Sequence, residues 1–271
     1  MMRASFVSLL VTLLIAGCGN NDSTDDLAEQ FRANTADGSR IDHSDWQQVL
    51  NDYLVPSYAG LNRVDYAGLA TAGSTGQLDR YLTAMSAVDP EMHPADEQMA
   101  YWINVYNALT VRRIVEDWPV ESILELGDSA LARGPWGDPA ITVNGRTLSL
   151  DDIEHRILRV IWEEPRIHFA VNCASVGCPD LQPIAFTGAN LESQLRLGAR
   201  NYLASPRGVV REGDALLVSS LFQWYADDFG DSPEAVLDRL ADFADQNTAK
   251  RLRSHDGPLR YAYDWSLNAT Q

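Results

Sequence analysis

Lysine is almost missing from this chain: Lys250 is the only one. Arginine supplies the other positive charges, and Lys plus Arg reach only 21 against 38 Asp plus Glu, a formal charge of −17. A field of that sign repels phosphate backbones and argues against a nucleic-acid partner. Cysteine is scarce too, with three in 271 residues, at positions 18, 173 and 178. Long apolar runs are also absent. The one conspicuous stretch, residues 6–15, falls short of the roughly 20 residues that a spanning helix needs. No internal repeat or low-complexity tract interrupts residues 41–268, and no EF-hand-like spacing occurs. What remains is an ordinary globular composition, 45% hydrophobic and 22% charged, with enough chain for one large domain or two small ones.

The N-terminus sets the compartment. Arg3 precedes the apolar run, which ends in Leu14-Ile15-Ala16-Gly17-Cys18. That ending resembles the bacterial lipobox, and the resemblance implies a signal peptide over 1–17 and lipidation at Cys18. Gly19 after the cysteine is similar to lipoproteins carried onward to the outer membrane, facing the periplasm. Residues 18–40, rich in Asn, Asp, Ser and Thr, are expected to be a disordered tether. The domain is expected over 41–271. Once the leader is removed and Cys18 lipidated, thiol chemistry is confined to Cys173 and Cys178.

Periodicity then yields the elements. Trp46, Val49, Leu50 and Tyr53 mark a helix over 42–54, and Leu78, Tyr81, Leu82 and Met85 another over 77–88. Residues 96–118 are apolar nearly all the way round, which predicts a buried helix. Its Asn104 and Asn107 share one edge and need partners. Asn144-Gly145 between short β-prone runs predicts a hairpin over 141–148. Ser149 with Asp152 then forms a capping box for a helix reaching about residue 162, with Asp151 and His155 on one face. Further helices are expected over 190–204, over 221–229 and from Ser232-Pro233 onward. Two short strands are expected within 208–220, and a last strand over 259–268. One α+β domain is the economical reading.

The chain is organised around RIHFAVNCASVGCPDLQP, residues 166–183. Residues 167–171 read as a short apolar strand bearing His168, followed by a loop of small residues with the two thiols. Three chemistries are open here. Cys173 can be a nucleophile with His168 or His155 as base. Cys173 and Cys178 can form a disulfide, static or cycling, with Cys178 as the resolving thiol. Two thiolates and a histidine can also begin a metal site, though no fourth ligand is evident, so no metal and no cofactor are expected. Trp136, Trp224 and Trp265 can wall a groove beside the loop or serve as core, and Asp227, Asp228 and Asp264 can hold Ca²⁺ if they converge.

The motifs AYWINVYNALTV, LSLDDIEHRIL, RIHFAVNCASVGCPDL, LFQWYADDFG and YDWSLN occur in the order in which they stand in the bacterial family called domain of unknown function 547, and the chain resembles that family over roughly 42–268. The family in turn resembles the papain and transglutaminase-like group. This implies a single domain with a central buried helix packed on a small antiparallel sheet, and a thiol nucleophile paired with a strand-borne histidine. His168 matches that histidine. The matching helix offers Asn104 where the group has its cysteine, so Cys173 would come from the other side of the site. The resemblance implies cysteine-dependent hydrolysis or acyl transfer on a peptide, amide or thiol substrate. Cys173, His168, His155, Asp151 and Asn104 are then the candidate catalytic residues, and Cys178 the resolving or disulfide partner. The alternative is a non-catalytic module that binds a peptide or protein, its Cys173–Cys178 pair locked as a disulfide. Partners are thus a peptide, protein or small thiol substrate, and the membrane through the lipid anchor.

Overall fold

The computed structural model describes residues 24–32, 36, 38–57, 60–71, 75–127 and 134–270. The signal peptide expected over 1–17 and the lipidation expected at Cys18 lie outside the described residues.

The expected tether is partly a fold element. Thr24–Gln30 forms α1, and Leu27 and Phe31 are buried in the main core, with Phe31 meeting Trp102 edge-on at 5.0 Å. Two large apolar side chains four residues apart are enough to dock one helical turn once a hydrophobic surface is available. Polar composition around them masks that signal in the sequence.

α2 (Ser44–Tyr53) runs into β1 (Leu54–Val55), which pairs antiparallel with β2 (Arg63–Val64). α3 (Tyr66–Thr71) and α4 (Thr75–Ser86) follow. They pack against α5 (Ala95–Glu116), the central helix, which is buried on all sides from Glu97 to Val111. Its many β-branched and aromatic residues are modest helix formers, so burial rather than propensity holds it helical. Asp96 and Glu97 in its first turn and Arg113 in its last suit the helix dipole.

The expectation of a helix lying on an antiparallel sheet is corrected here. α5 packs mainly on α3, α4 and a π-helical segment, Asp152–Leu158. The strands sit elsewhere, in small groups. β3 (Ile141–Val143) and β4 (Arg146–Leu148) form the expected hairpin. After α6 (Arg159–Trp162) and α7 (Leu191–Ala204), β5 (Val209–Glu212) pairs antiparallel with β6 (Ala215–Ser219). Two single turns, α8 (Leu221–Trp224) and α9 (Ala226–Phe229), then α10 (Pro233–Phe243) and α11 (Gln246–Arg253), lead to β7 (Leu259–Ala262). β7 joins β6 in parallel, so this three-stranded sheet is mixed. Parallel pairing needs a long crossover, supplied here by the helices between β6 and β7. The class is α+β.

The expected strand over 167–171 is also corrected. Pro165–Phe169 is a 3₁₀ helix, started by Pro165 and capped by the Glu164 carboxylate, which accepts from the Arg166 N–H. A short apolar run buried on every side shows no period that separates strand from helix. Here Ile167, Ala170 and Val171 enter the main core while Phe169 enters a second one with Tyr202, Phe222 and Phe229. The run is the junction of two hydrophobic clusters.

Two amides on α5 fix that junction. Asn104 donates to the Phe186 carbonyl at 2.8 Å and accepts its N–H at 3.0 Å. Asn107 donates to the Ala170 carbonyl at 2.9 Å and accepts the Asn172 N–H at 2.8 Å. Both amides are buried and bonded to backbone, so Asn104, expected among the catalytic candidates, sits here as a clip and does not line the cleft described below. Asn104→Ala leaves two buried backbone groups unpaired and is expected to cost on the order of 1–3 kcal/mol in urea denaturation. Asn104→Asp is expected to cost more, because its carboxylate would face the Phe186 carbonyl. Wild-type midpoints in both would refute the clip.

Candidate functional site: a thiol pair in an aromatic cleft

The thiol loop follows directly from the Asn107 clip. Asn172 donates to the Pro179 carbonyl at 2.6 Å and accepts from the Ala174 N–H at 2.9 Å, closing the loop across its neck. Ala174 takes φ +61°, a left-handed conformation that costs a non-glycine residue of order 1 kcal/mol and is held here by the surrounding bonds. The loop is stitched to the C-terminal segment. Val176 N–H donates to Ser266 O, Gly177 N–H to Asp264 O, and Asn268 N–H to Ala174 O, at 2.8, 2.8 and 2.9 Å. Gly177 is required by this approach, since a Cβ there would lie 2.8 Å from the Asp264 nitrogen. On the far side Arg207 donates to Cys178 O at 2.6 Å and to Asp180 at 2.9 Å.

The loop presents two free thiols to a cleft of about 340 Å³. Cys173 is partly exposed and Cys178 buried, with their sulfurs 2.9 Å apart. No disulfide joins them in this structure; bonding would require the sulfurs to close to about 2.05 Å. Cys173 Sγ also contacts the Tyr263 hydroxyl at 2.9 Å and the Ser175 hydroxyl at 3.3 Å. The hydrogen bond with Cys178, helped by these two hydroxyls, lowers the Cys173 pKa below the ordinary thiol value against the effect of burial. Burial and the adjacent Cys173 push Cys178 well above it. Burial likewise raises Tyr263, keeping it a phenol that can donate. Of the two, Cys173 gives up its proton more readily and Cys178 holds its own.

His168 is not the partner of Cys173. Its Nε2 lies 2.6 Å from Asp228 Oδ2 and its Nδ1 3.6 Å from Glu154 Oε1, so both ring nitrogens face carboxylates. Burial disfavours the imidazolium, but the hydrogen bond to Asp228 and the nearness of Glu154 outweigh it and raise the pKa. Tyr225 stacks on the ring at 4.1 Å. Asp228 is chelated by Arg159 at 2.6 and 2.8 Å, and its pKa is lowered: burial is overcome by His168 and Arg159. Glu154 is buried, yet its pKa is lowered to about 2, because His168, His155 and the Tyr106 hydroxyl outweigh the burial. The result is an alternating row of charges, Glu154, His168, Asp228, Arg159, locked by mutual pairing.

His155 and Asp151 meet as their spacing predicts, with Nε2 3.6 Å from Oδ1. Arg159 lies 3.3 Å from His155 Nδ1, on the side of the ring away from Asp151. Both line the cleft, and burial raises the Asp151 pKa. The π-helical segment widens the turn from which Glu154 and His155 both reach the cleft; such turns are frequent at functional sites.

The three tryptophans do form one wall. Trp224 stacks on Trp265 at 5.6 Å, Trp136 meets Trp265 edge-on at 5.8 Å, and Tyr263 lies 4.6 Å from Trp265. Trp224 remains 48% exposed, so it is not core. The three aspartates do not converge. Asp228 serves Arg159 and His168, Asp264 accepts from Ser266, and no cluster of three metal-ligating side chains occurs among the described residues.

Sequence reasoning missed Glu154, Tyr106, Arg159, Tyr225 and Tyr263. Glu154 had a signal: Leu150, Ile153, Ile157 and Leu158 make one buried helical stripe, and Glu154 is the charge inside it. The others depend on distant segments meeting, which no local pattern announces.

No curated protein and no solved structure matches this chain. Residues 90–203, less than half of the chain, match the family described as protein of unknown function, DUF547; that stretch carries α5, Glu154, His168 and both thiols, stops short of Asp228, Tyr263 and Trp265, and over its own length is what this chain is similar to.

Proposed function

We propose that the domain is a thiol-dependent enzyme of the dithiol type, exchanging disulfides at Cys173 with Cys178 as the resolving thiol. The observation that carries the reading is the Cys173 sulfur, 2.9 Å from Cys178 and bonded to Tyr263 and Ser175, while His168 is held by two carboxylates. Amide cleavage needs a base that later protonates an amine leaving group. Neither histidine is free for that task. Exchange needs a thiolate, a second thiol and access.

The Cys173 thiolate attacks one sulfur of a substrate disulfide. A mixed disulfide forms, and the other half of the substrate leaves as thiolate. That thiolate takes the Cys178 proton, and Cys178 attacks the Cys173 sulfur. The second half leaves and the Cys173–Cys178 bond forms, so two electrons pass from protein to substrate. Run backwards, the same steps oxidise a substrate dithiol. The papain or transglutaminase-like resemblance fits a thiol, a histidine and a buried helix around one cleft, with their connections rearranged. The lipobox-like ending at Cys18 adds an envelope address, with the domain held at the outer membrane; Cys18→Ser is expected to leave the precursor unprocessed, and normal membrane attachment of that variant would refute it.

The test equilibrates the protein in thiol–disulfide buffers and follows both cysteines by mass. The expected result is joint, reversible loss of two hydrogens, with Cys178→Ser trapping a mixed disulfide on Cys173. A bridge that resists reduction at potentials below about −300 mV would mark a structural disulfide and support the binding module instead. Cysteines that never bridge would also overturn the exchange reading.

A further inference from the structure

We infer that the aromatic half of the cleft holds a cationic group, so that the substrate of Cys173 carries an amine or quaternary ammonium close to its sulfur. This rests on the exchange reading for the sulfur, but not for the cation.

Among the described residues, the cleft lining carries no lysine, arginine, amide or aliphatic hydroxyl. What it offers beside the thiols is ring faces, two carboxylates and two histidines, of which His168 is already neutralised by Glu154 and Asp228. Among the described residues an anionic ligand finds no lysine or arginine there, and both histidines already face carboxylates. A sugar finds few paired donors and acceptors. A cation finds both of the things that stabilise it, the negative faces of indole rings and a carboxylate at Asp151.

Trp136, Trp224, Trp265 and Tyr263 form a continuous wall through centroid separations of 4.6 to 5.8 Å. Asp151 is tied to that wall by its backbone, its N–H donating to the Trp136 carbonyl at 2.9 Å. The chain already uses a neighbouring ring in this way: the Arg159 guanidinium lies 5.3 Å from the centre of Tyr225. Tyr225 is thus taken, whereas Trp224 stands at the exposed rim, and among the described residues no arginine lies over its ring. Cys173 joins the two halves, because its hydroxyl partner Tyr263 is itself part of the wall.

Two measurements test the inference. Tryptophan fluorescence is titrated with choline and with 3,3-dimethyl-1-butanol, its uncharged isostere, in about 0.5 M salt so that the general field of the chain is screened. Choline is expected to bind at least about fivefold more tightly, a modest cation–π preference, and to lose that preference in Trp224→Ala, whose exposed site tolerates truncation. Equal affinities, or a preference that salt abolishes, would overturn the cation site. The second measurement compares the rates at which reduced protein reacts with cystamine and with 2-hydroxyethyl disulfide. Cystamine is expected to be faster, and the ratio to fall toward one in Asp151→Asn. Choline binding without any disulfide exchange would remove the exchange reading and keep the cation site. Exchange at equal rates without choline binding would do the reverse.

Discussion

His168→Ala is expected to destabilise the protein by about 3–5 kcal/mol at pH 7, because it leaves Glu154 as a buried carboxylate without its cation. The pH dependence identifies the cause. In the wild type the folded Glu154 pKa is about 2 against an ordinary 4.5, so its stabilisation is complete above 4.5 and lost as pH falls toward 2. His168 is shifted upward from 6.5, so its contribution is complete below 6.5 and lost as pH rises through the folded value. Between those limits the pair is at its strongest. In the variant Glu154 has lost its main counter-charge, and protonation relieves it. The gap between variant and wild type should therefore shrink from pH 6 to pH 3 in urea denaturation. Adding Glu154→Gln should recover part of the loss at neutral pH, a coupling that a double-mutant cycle isolates. A gap that stays constant with pH would mean that His168 contributes packing alone.

Alkylation of the reduced protein at pH 6 is expected to fall on Cys173, at least about tenfold faster than on Cys178. The preference comes from the hydrogen bonds at the Cys173 sulfur, so its source can be removed piece by piece. Tyr263→Phe and Cys178→Ala should each move the alkylation midpoint of Cys173 upward. His168→Ala should leave the preference in place, because the ring points to Asp228 and Glu154 and not to the sulfur. Loss of the preference in that variant would restore a Cys–His pair and return the protein to the hydrolase class.

Local chemistry made part of this architecture legible. The all-round apolar run announced α5, Asn144-Gly145 announced the hairpin, and Ser149 with Asp152 and Ser232 with Pro233 marked helix starts that the structure caps as expected. Asp151 and His155 meet because a spacing of four is enough. The failures share a different physics. Residues 165–171 are shaped by two cores at once, so their pattern has no polar face to read. The parallel register of β6 with β7 is decided by what α10 and α11 bring back. α11 itself, begun by the Asp245 cap and holding Thr248, Ala249 and Leu252 inward, has too thin an apolar stripe to stand out. At the site, the thiols were visible as residues, but their chemistry was not. Tyr263 and Asp228 are 90 and 60 residues from the groups they bind.

That separation also sets an order in time. A chain grows from its N-terminus, so Cys173 and Cys178 are made long before the segment that carries Tyr263, Asp264 and Ser266. Until those last residues arrive, the loop lacks the carbonyls that receive the Val176 and Gly177 N–H groups, and the Cys173 sulfur lacks the phenol bonded to it. Before that segment is made, the Cys173 sulfur has Cys178 and Ser175 as partners within the loop but not the phenol, so its set of hydrogen bonds is completed only once residue 263 is in place.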